Sequence, residues 1–137
     1  MLVIPAIDIR DGKCVRLFQG DFDQQTTYPV DPADLARDYA GAGFRELHLV
    51  DLDGAKDGRR KNLQIVDNIV AAGDMQIQLG GVNRKETELR ELFNAGFSRC
   101  VVGSVAATDP PRVCERLYTF GPASHVLALD VRVKDCD

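Results

Sequence analysis

Two aspartates in this sequence each follow a short apolar run. Asp8 comes directly after residues 2–7, and Asp130 comes directly after residues 126–129. Two carboxylates whose environments push their pKa values apart can divide the work of a general base and a general acid. The alternative is a carboxylate that closes a loop or caps a helix after a strand, and the residues alone leave both interpretations open.

A histidine and a third aspartate occur together later in the chain. Asp51 follows the apolar run 46–50, and His48 lies inside that run. A histidine within an apolar run is by default buried with its ring nitrogens hydrogen-bonded, and the residues alone favour that interpretation.

The longest non-helical connection runs over residues 10–30. A connection of this length in a compact domain is usually functional or mobile. Its Asp11-Gly12 pair favours a tight turn and predicts a small hairpin. Arg16, within this connection, is either a surface cation or a contact to an anionic substrate.

Two turns of small residues have the composition of phosphate sites. Gly80 and Gly81 occur in LGGV, and Gly103 and Ser104 occur in VGSV. Glycine lets the backbone approach a ligand closely, and exposed amides at the start of a helix favour an anion. The Ser104 hydroxyl adds a donor. The alternative is that both turns need glycine for their geometry alone.

Five apolar runs predict the strands that position these residues. Each run is too short for a helix and lacks strict alternation, which favours strands covered on both faces. In a parallel sheet the carboxyl ends of the strands meet at one edge, where ligands collect. The candidate residues follow these strands and should therefore converge there. The predicted strands are 2–7, 46–50, 75–79, 99–102 and 126–129.

Four segments between these runs show helical patterns. Asp31 before Pro32, and Asp109 before a pair of prolines, are typical helix starts. Asn62 is placed to cap the apolar stripe that follows it, and residues 85–95 carry apolar residues on one side. The alternation of strand and helix predicts an α/β fold with a parallel sheet, in one domain spanning residues 1–137.

Composition excludes several classes of protein. The chain has 137 residues, 45% hydrophobic and 28% charged, with a net charge of −4, as in a globular protein that binds neither nucleic acid nor membrane. There is no signal-peptide pattern, so we expect a cytoplasmic protein. Cys14, Cys100, Cys114 and Cys136 form no C-x-x-C pair, which argues for reduced thiols, with Cys100 and Cys114 as small buried residues.

Five segments together are similar to a known family. VIPAIDIRDGKCVRLFQGD, LHLVDLDGAKDG, IQLGGVNR, VVGSVA and LALDVR occur in this order. Along the entire chain they resemble the N-terminal half of the ProFAR isomerases (phosphoribosylformimino-aminoimidazole carboxamide ribotide isomerases) of histidine biosynthesis. The sister cyclase family is less similar, since it has a different ending to its second strand and a lysine soon after the first aspartate.

That resemblance implies a fold and a reaction. The fold is a TIM (βα)8 barrel, and this chain supplies a parallel half barrel of four βα units and the start of a fifth strand. The reaction is an Amadori rearrangement, in which an aminoaldose becomes an aminoketose by acid/base catalysis, with no metal or organic cofactor. The substrate is a phosphorylated ribosyl compound.

The resemblance also assigns roles to residues of this chain. Asp8 would be the general base at the sugar C2, and Asp130 would be the general acid that helps the sugar ring to open. Gly81, Gly103 and Ser104 would belong to one of two phosphate sites, the second being absent from this chain. The residues expected in the substrate pocket are Arg16, His48 and Asp51.

A half barrel leaves sheet edges and apolar surface uncovered, which drives association with another chain. We therefore expect the chain alone to be inactive and to self-associate through its open edges or to pair with the missing half. The alternative function is a non-catalytic half-barrel module that binds phosphorylated ligands.

Overall fold

The computed structural model describes residues 1–57, 62–81 and 85–129 of the chain. Within these ranges it contains seven strands, six α-helices and a 3-10 turn at Pro122–Ser124. The strands are β1 Ala6–Arg10, β2 Lys13–Phe18, β3 Asp21–Thr27, β4 Glu46–Asp51, β5 Gln76–Gly80, β6 Arg99–Val102 and β7 His125–Leu127. The helices are α1 Pro32–Gly41, α2 Leu52–Asp57, α3 Leu63–Ala71, α4 Glu86–Asn94, α5 Val105–Thr108 and α6 Pro110–Phe120.

All seven strands form one sheet in the order β3-β2-β1-β4-β5-β6-β7. The pairs β1–β4, β4–β5, β5–β6 and β6–β7 are parallel, and β1–β2 and β2–β3 are antiparallel. Among the described residues β3 and β7 each have one neighbouring strand, so the sheet does not close. The prediction of a parallel α/β half barrel is confirmed.

The parallel strands bury one face and leave the other partly open. In β4 the burial alternates, with Leu47 and Leu49 fully buried and His48 and Val50 only partly so. The buried face packs on helix residues such as Leu89. The expectation that both strand faces are covered is therefore wrong for the described part of the chain. In β1 and β5 polar residues alternate with apolar ones, and the buried set is the apolar one that packs on the helices.

The first strand lies further along the chain than predicted. The prediction was residues 2–7, whereas β1 is Ala6–Arg10 and Leu2 is exposed. Asp8 is therefore in the middle of the strand, paired with Val15 on one side and Val50 on the other. Pairing on both sides decides the strand position here, because apolar character alone does not supply hydrogen-bond partners for the backbone.

Two of the three predicted helix caps are present. The Asp31 side chain accepts from the Ala33 and Asp34 amides at the start of α1, and Asp109 accepts from the Arg112 amide at the start of α6. Asn62 precedes α3, but its side chain makes no capping hydrogen bond. That prediction is wrong because the Asn62 side chain has other partners.

The predicted hairpin at Asp11-Gly12 is confirmed. Both residues have positive φ, 49° and 77°, as a tight turn between antiparallel strands requires. The turn joins β1 to β2, and β3 extends the hairpin into a three-stranded antiparallel unit.

Several smaller expectations are also decided by the structure. Cys100 is buried as predicted, but Cys114 is exposed on α6, so that prediction is wrong. Cys14, Cys100 and Cys114 form no disulfide. The fifth predicted strand, 126–129, is β7 at His125–Leu127. In the part of the chain that is described, none of the helices is long and apolar enough to cross a membrane.

Candidate functional site

Asp8 and His48 lie on the partly open face of the sheet, which we call the inner face. His48 is paired with Ala6 in the β1–β4 register, and Asp8 with Val50 two residues further along both strands. Side chains two residues apart on a strand share a face, so Asp8 and His48 are diagonal neighbours. Each carries a charge that shifts the pKa of the other, as expected for groups that lie close together.

Burial shifts the pKa of both groups towards their neutral forms. Desolvation raises the pKa of Asp8 above 3.8, while His48 and Arg16 oppose that shift. Desolvation likewise lowers the pKa of His48 below 6.5, and Asp8 opposes that shift. Desolvation is the larger effect in each case, so burial increases the basicity of the Asp8 carboxylate and favours the neutral form of the His48 imidazole.

Arg16 reaches the same region from β2. It lines a cavity of about 330 Å³ together with Asp8, between the β1–β2 hairpin and α1. Tyr28 and Tyr39 also line the cavity, and the rest of its wall is mostly apolar. This volume is in the range of small-molecule sites, and Asp8 and Arg16 are the charged residues of its wall.

Asp51, by contrast, lies on the helix side of the sheet. It ends β4 in the same alternation as the buried Leu47 and Leu49, and its side chain is 2% exposed. Its Oδ1 accepts from the Gly54 amide at 3.0 Å and from Asn62 Nδ2 at 2.7 Å. The carboxylate is thus committed to protein donors on the side of the sheet opposite Asp8.

Asn62 connects three parts of the chain. Besides Asp51, its Nδ2 donates to Asp53 Oδ2 at 2.9 Å. Its Oδ1 accepts from the Gly12 amide at 3.1 Å, and the Asp11 amide donates to Asp53 Oδ2 at 2.7 Å. These bonds hold the β1–β2 turn against the start of α2, at the carboxyl ends of the strands.

Phe22 of β3 strengthens the same connection. Its ring lies 5.1 Å from the Arg10 guanidinium carbon and 5.7 Å from Lys56 Nζ on α2. The Phe22 carbonyl also accepts from Arg10 Nη1 at 2.8 Å. Cation–π contacts of this kind add modest stability, so the hairpin that carries Arg16 is fastened to β1 and α2.

The glycine turns end β5 and β6. Gly81 has φ 78°, and a Cβ there would lie 3.0 Å from the Asp51 carbonyl oxygen and from Ala55 Cβ, so close packing alone requires glycine. A Cβ at Gly103 would meet nothing within 4 Å, and Ser104 is exposed before α5. Gly103 lies three strand spacings, about 14 Å, from Asp8 across the sheet.

The structure thus brings Asp8, Arg16 and His48 together and places Gly103 and Ser104 along the same strand ends. Asp130 lies outside the described residues. Among the described residues no group of three or more histidine, cysteine, aspartate or glutamate side chains is placed to hold a metal ion.

Sequence reasoning missed two polar residues of this region, Asn62 as a connector and Gln78. Gln78 Nε2 lies 2.9 Å from His48 Nδ1 on the inner face. The alternation of Gln76, Ile77, Gln78 and Leu79 in β5 was the available signal, because period-two alternation marks a strand with one polar face. No comparable pattern pointed to Asn62, whose partners are distant in the sequence.

The Asn62 connections predict a local effect of Asn62→Ala. Removing the amide takes one of two donors from the Asp51 and Asp53 oxygens and leaves the Gly12 amide without its side-chain acceptor. This should lower the free energy of unfolding by about 1–3 kcal/mol. Hydrogen exchange at the Asp11 and Gly12 amides should accelerate. The matched control, Asn68→Ala on the exposed side of α3, should change stability by less than about 0.5 kcal/mol. Unchanged exchange at both turn amides would show that Asn62 does not hold the turn.

The lowered pKa of His48 predicts a pH-dependent stability. Because the unfolded chain takes up the His48 proton at a higher pH, the stabilisation is present above pH 6.5 and is lost as the pH falls through the folded pKa. Unfolding by urea from about pH 7.5 to about pH 5.5 should show falling stability, and His48→Gln should flatten this slope. Identical slopes for the two proteins would contradict it. The raised pKa of Asp8 has the opposite effect on the pH dependence of stability. Its contribution is fully present below pH 3.8 and is lost as the pH rises through the pKa of the folded state.

Known proteins are similar to this chain along almost its whole length. A sequence model of the histidine biosynthesis protein family matches residues 2–136. The chain is 43% identical over 134 residues to a protein of Alteromonas mediterranea, and 45% identical over 134 residues to one of Enterobacter sp. strain 638. Both are named 1-(5-phosphoribosyl)-5-((5-phosphoribosylamino)methylideneamino) imidazole-4-carboxamide isomerase.

A protein of Tolumonas auensis with the same name is 44% identical over 132 residues. These alignments cover 96–98% of this chain, and the chain spans about half the length of these curated relatives, 54–55%. The match extends along almost the whole chain and confirms the resemblance deduced from its motifs. The chain therefore belongs to the histidine biosynthesis protein family.

Proposed function

We propose that this chain is the N-terminal half of an isomerase that converts a phosphoribosyl aminoaldose to an aminoketose by an Amadori rearrangement. The observation that carries the proposal is Asp8, a partly desolvated carboxylate on the inner face, with His48 and Arg16 beside it. The names of the relatives supply the substrate class, a phosphoribosylated imidazole carboxamide.

Asp8 has the properties of the base in this reaction. Desolvation raises its pKa, and a general base is more effective when its pKa is nearer the working pH. Protonation of the ring oxygen accompanies cleavage of the C1–O bond, and Asp8 then removes the proton at C2. Return of a proton to C1, with loss of the proton from the C2 hydroxyl, leaves a ketone at C2. The product then has the composition of the substrate and no co-reactant is consumed.

Asp130 is proposed as the acid that protonates the ring oxygen, on the strength of the family resemblance. Arg16 is proposed to bind an anionic part of the substrate, because it lines the same cavity as Asp8. Gly103 and Ser104 are proposed to contact one phosphate, with the exposed Ser104 hydroxyl as donor and an open approach over Gly103. Gly81 and Asp51 are proposed to support that site through the close packing of Gly81 on the Asp51 backbone.

A complementary half barrel is the proposed partner. Leu127 in β7 and Leu129 just after it are 57% and 78% exposed, and Leu2 and Val3 are exposed next to β1. The β1–β2 pairing begins at Asp8, which leaves Ala6 and Ile7 at an open edge beside the 330 Å³ cavity. Apolar surface at both edges, and relatives nearly twice as long, support a second half that covers these edges.

The catalytic role is tested on a complete barrel. This chain is joined to the C-terminal portion of the Enterobacter relative, and the fusion should catalyse the isomerisation. Asp8→Asn keeps the shape of the side chain and removes its basicity, so kcat should fall about 10²–10⁴-fold. Asp23→Asn, an exposed carboxylate of β3, is the matched control and should leave kcat unchanged. A folded fusion without turnover, or near-normal turnover in the Asp8→Asn fusion, contradicts the proposal.

The open edges predict that the isolated chain self-associates and is inactive. Light scattering should give twice the mass of one chain, as for a symmetric dimer of half barrels. Leu127→Lys together with Leu129→Lys should shift the protein towards the monomer, because charges at an open edge oppose pairing. Tyr118→Lys, which removes another exposed apolar side chain on α6, should leave the dimer intact. A monomeric wild-type chain would refute the self-association.

A further inference from the structure

The inner face contains a polar contact with no assigned role, between His48 of β4 and Gln78 of β5. The two residues are direct partners in the parallel register, and Gln78 Nε2 lies 2.9 Å from His48 Nδ1. Because the β4–β5 register places these two residues opposite each other, the contact follows from the pairing of the strands. Arg99, the partner of Gln78 in the β5–β6 register, is ion-paired with Glu46, so its charge already has a partner.

The chemistry of this contact decides which ring nitrogen has the proton. A primary amide nitrogen donates hydrogen bonds and does not accept them, so Nδ1 of His48 must be the acceptor. A neutral imidazole has a single N–H, which is then on Nε2. Desolvation lowers the pKa of His48 and so favours the neutral ring.

The position of Gly80 shows where this N–H points. A Cβ at Gly80 would lie 3.4 Å from His48 Cε1 and 3.5 Å from Nε2. Gly80 is two residues beyond Gln78 on β5, about 6.6 Å nearer the carboxyl ends of the strands. The Nε2 edge of the ring is therefore directed towards that end of the sheet, where Asp8 lies, and glycine leaves this edge without a covering side chain.

We propose that Gln78 is a positioning residue that holds His48 as a neutral imidazole with its proton on Nε2, so that His48 donates a hydrogen bond to an oxygen of the ligand bound beside Asp8. The ligand part rests on the proposed function, and its acceptor is a hydroxyl, carbonyl or ring oxygen of the sugar. In this arrangement His48 has no basic nitrogen available, since Nδ1 is bonded to Gln78 and Nε2 is protonated. Asp8 is then the base, and His48 orients and polarises the substrate.

The tautomer is tested on the isolated chain, without substrate. The sequence has two histidines, His48 and His125. In the chain labelled with 15N-histidine, long-range proton–nitrogen spectra near pH 8 distinguish protonated from unprotonated ring nitrogens, and loss of signals in His48→Gln assigns them. We expect Nε2 of His48 to be protonated. A protonated Nδ1 in the wild-type chain overturns the proposal.

Substitutions at Gln78 test whether Gln78 sets the tautomer of His48 or whether the His48 ring would adopt the same tautomer without it. In Gln78→Glu the carboxylate can only accept, so the proton should move to Nδ1 of His48. In Gln78→Leu neither nitrogen is held, and both tautomers should be populated. Gln76→Glu, on the same face of β5, is the matched control and should leave the wild-type tautomer unchanged. Unaltered His125 signals verify that each variant is folded.

If His48 keeps its proton on Nε2 in folded Gln78→Glu, the positioning role is overturned. If the glutamate variant does not fold, the same result in folded Gln78→Leu overturns it. In the fused complete barrel, Gln78→Glu should lower kcat/KM about tenfold, as expected for one lost hydrogen bond in the transition state. An active fusion unaffected by Gln78→Glu overturns the ligand contact. A folded but inactive wild-type fusion contradicts the proposed function and leaves the tautomer result standing, so the two failures are distinguishable.

Discussion

The two-residue alternation of side chains along parallel strands is the constraint on which the rest of this structure depends. One set of side chains, including Ile7, Leu49 and Ile77, is buried against the helices. The opposite set is then free to be polar without weakening the core. Asp8, His48 and Gln78 belong to this second set, and the parallel register places them on one face. The candidate site is thus a consequence of how the core is buried.

Folding disfavours the charged forms of two groups in the site, Asp8 and His48, because it partly buries them. Asp8 and His48 are both shifted towards their neutral forms by desolvation, and each reduces the shift of the other. A carboxylate that is easier to protonate than a solvated one is a better base, so the desolvation that costs stability is also the property that the proposed reaction needs. The positive charge of Arg16 keeps this cost from growing further.

The surrounding loops are held by neutral and ionic hydrogen bonds that join distant parts of the chain. Asn62 donates to Asp51 and Asp53 and accepts from Gly12, and thereby fastens the first hairpin to the second strand–helix turn. A hairpin held in this way presents Arg16 from a defined direction. The open edges at Ala6 and Leu127 lie outside this network, and we propose that a second half barrel completes them.

The sequence by itself determined the order and type of the main elements, because those depend on local patterns. Apolar runs of strand length, the Asp31 and Asp109 helix starts, and the Asp11-Gly12 turn are all read from neighbouring residues. The candidate residues Asp8, Arg16 and His48 were also accessible, because they occur in motifs that resemble a known family.

Only the tertiary structure decided which face each side chain occupies and what it contacts. The start of β1 at Ala6 depends on its two neighbouring strands, so the position of Asp8 in mid-strand could not be read from the run that precedes it. Asp51 is buried on the helix side, and Asn62 bonds to two separate segments, although both follow ordinary local patterns. The Gln78–His48 bond joins residues 30 positions apart, and its existence depends on the register of two strands. Register is set by the packing of the whole sheet, which no short stretch of sequence specifies.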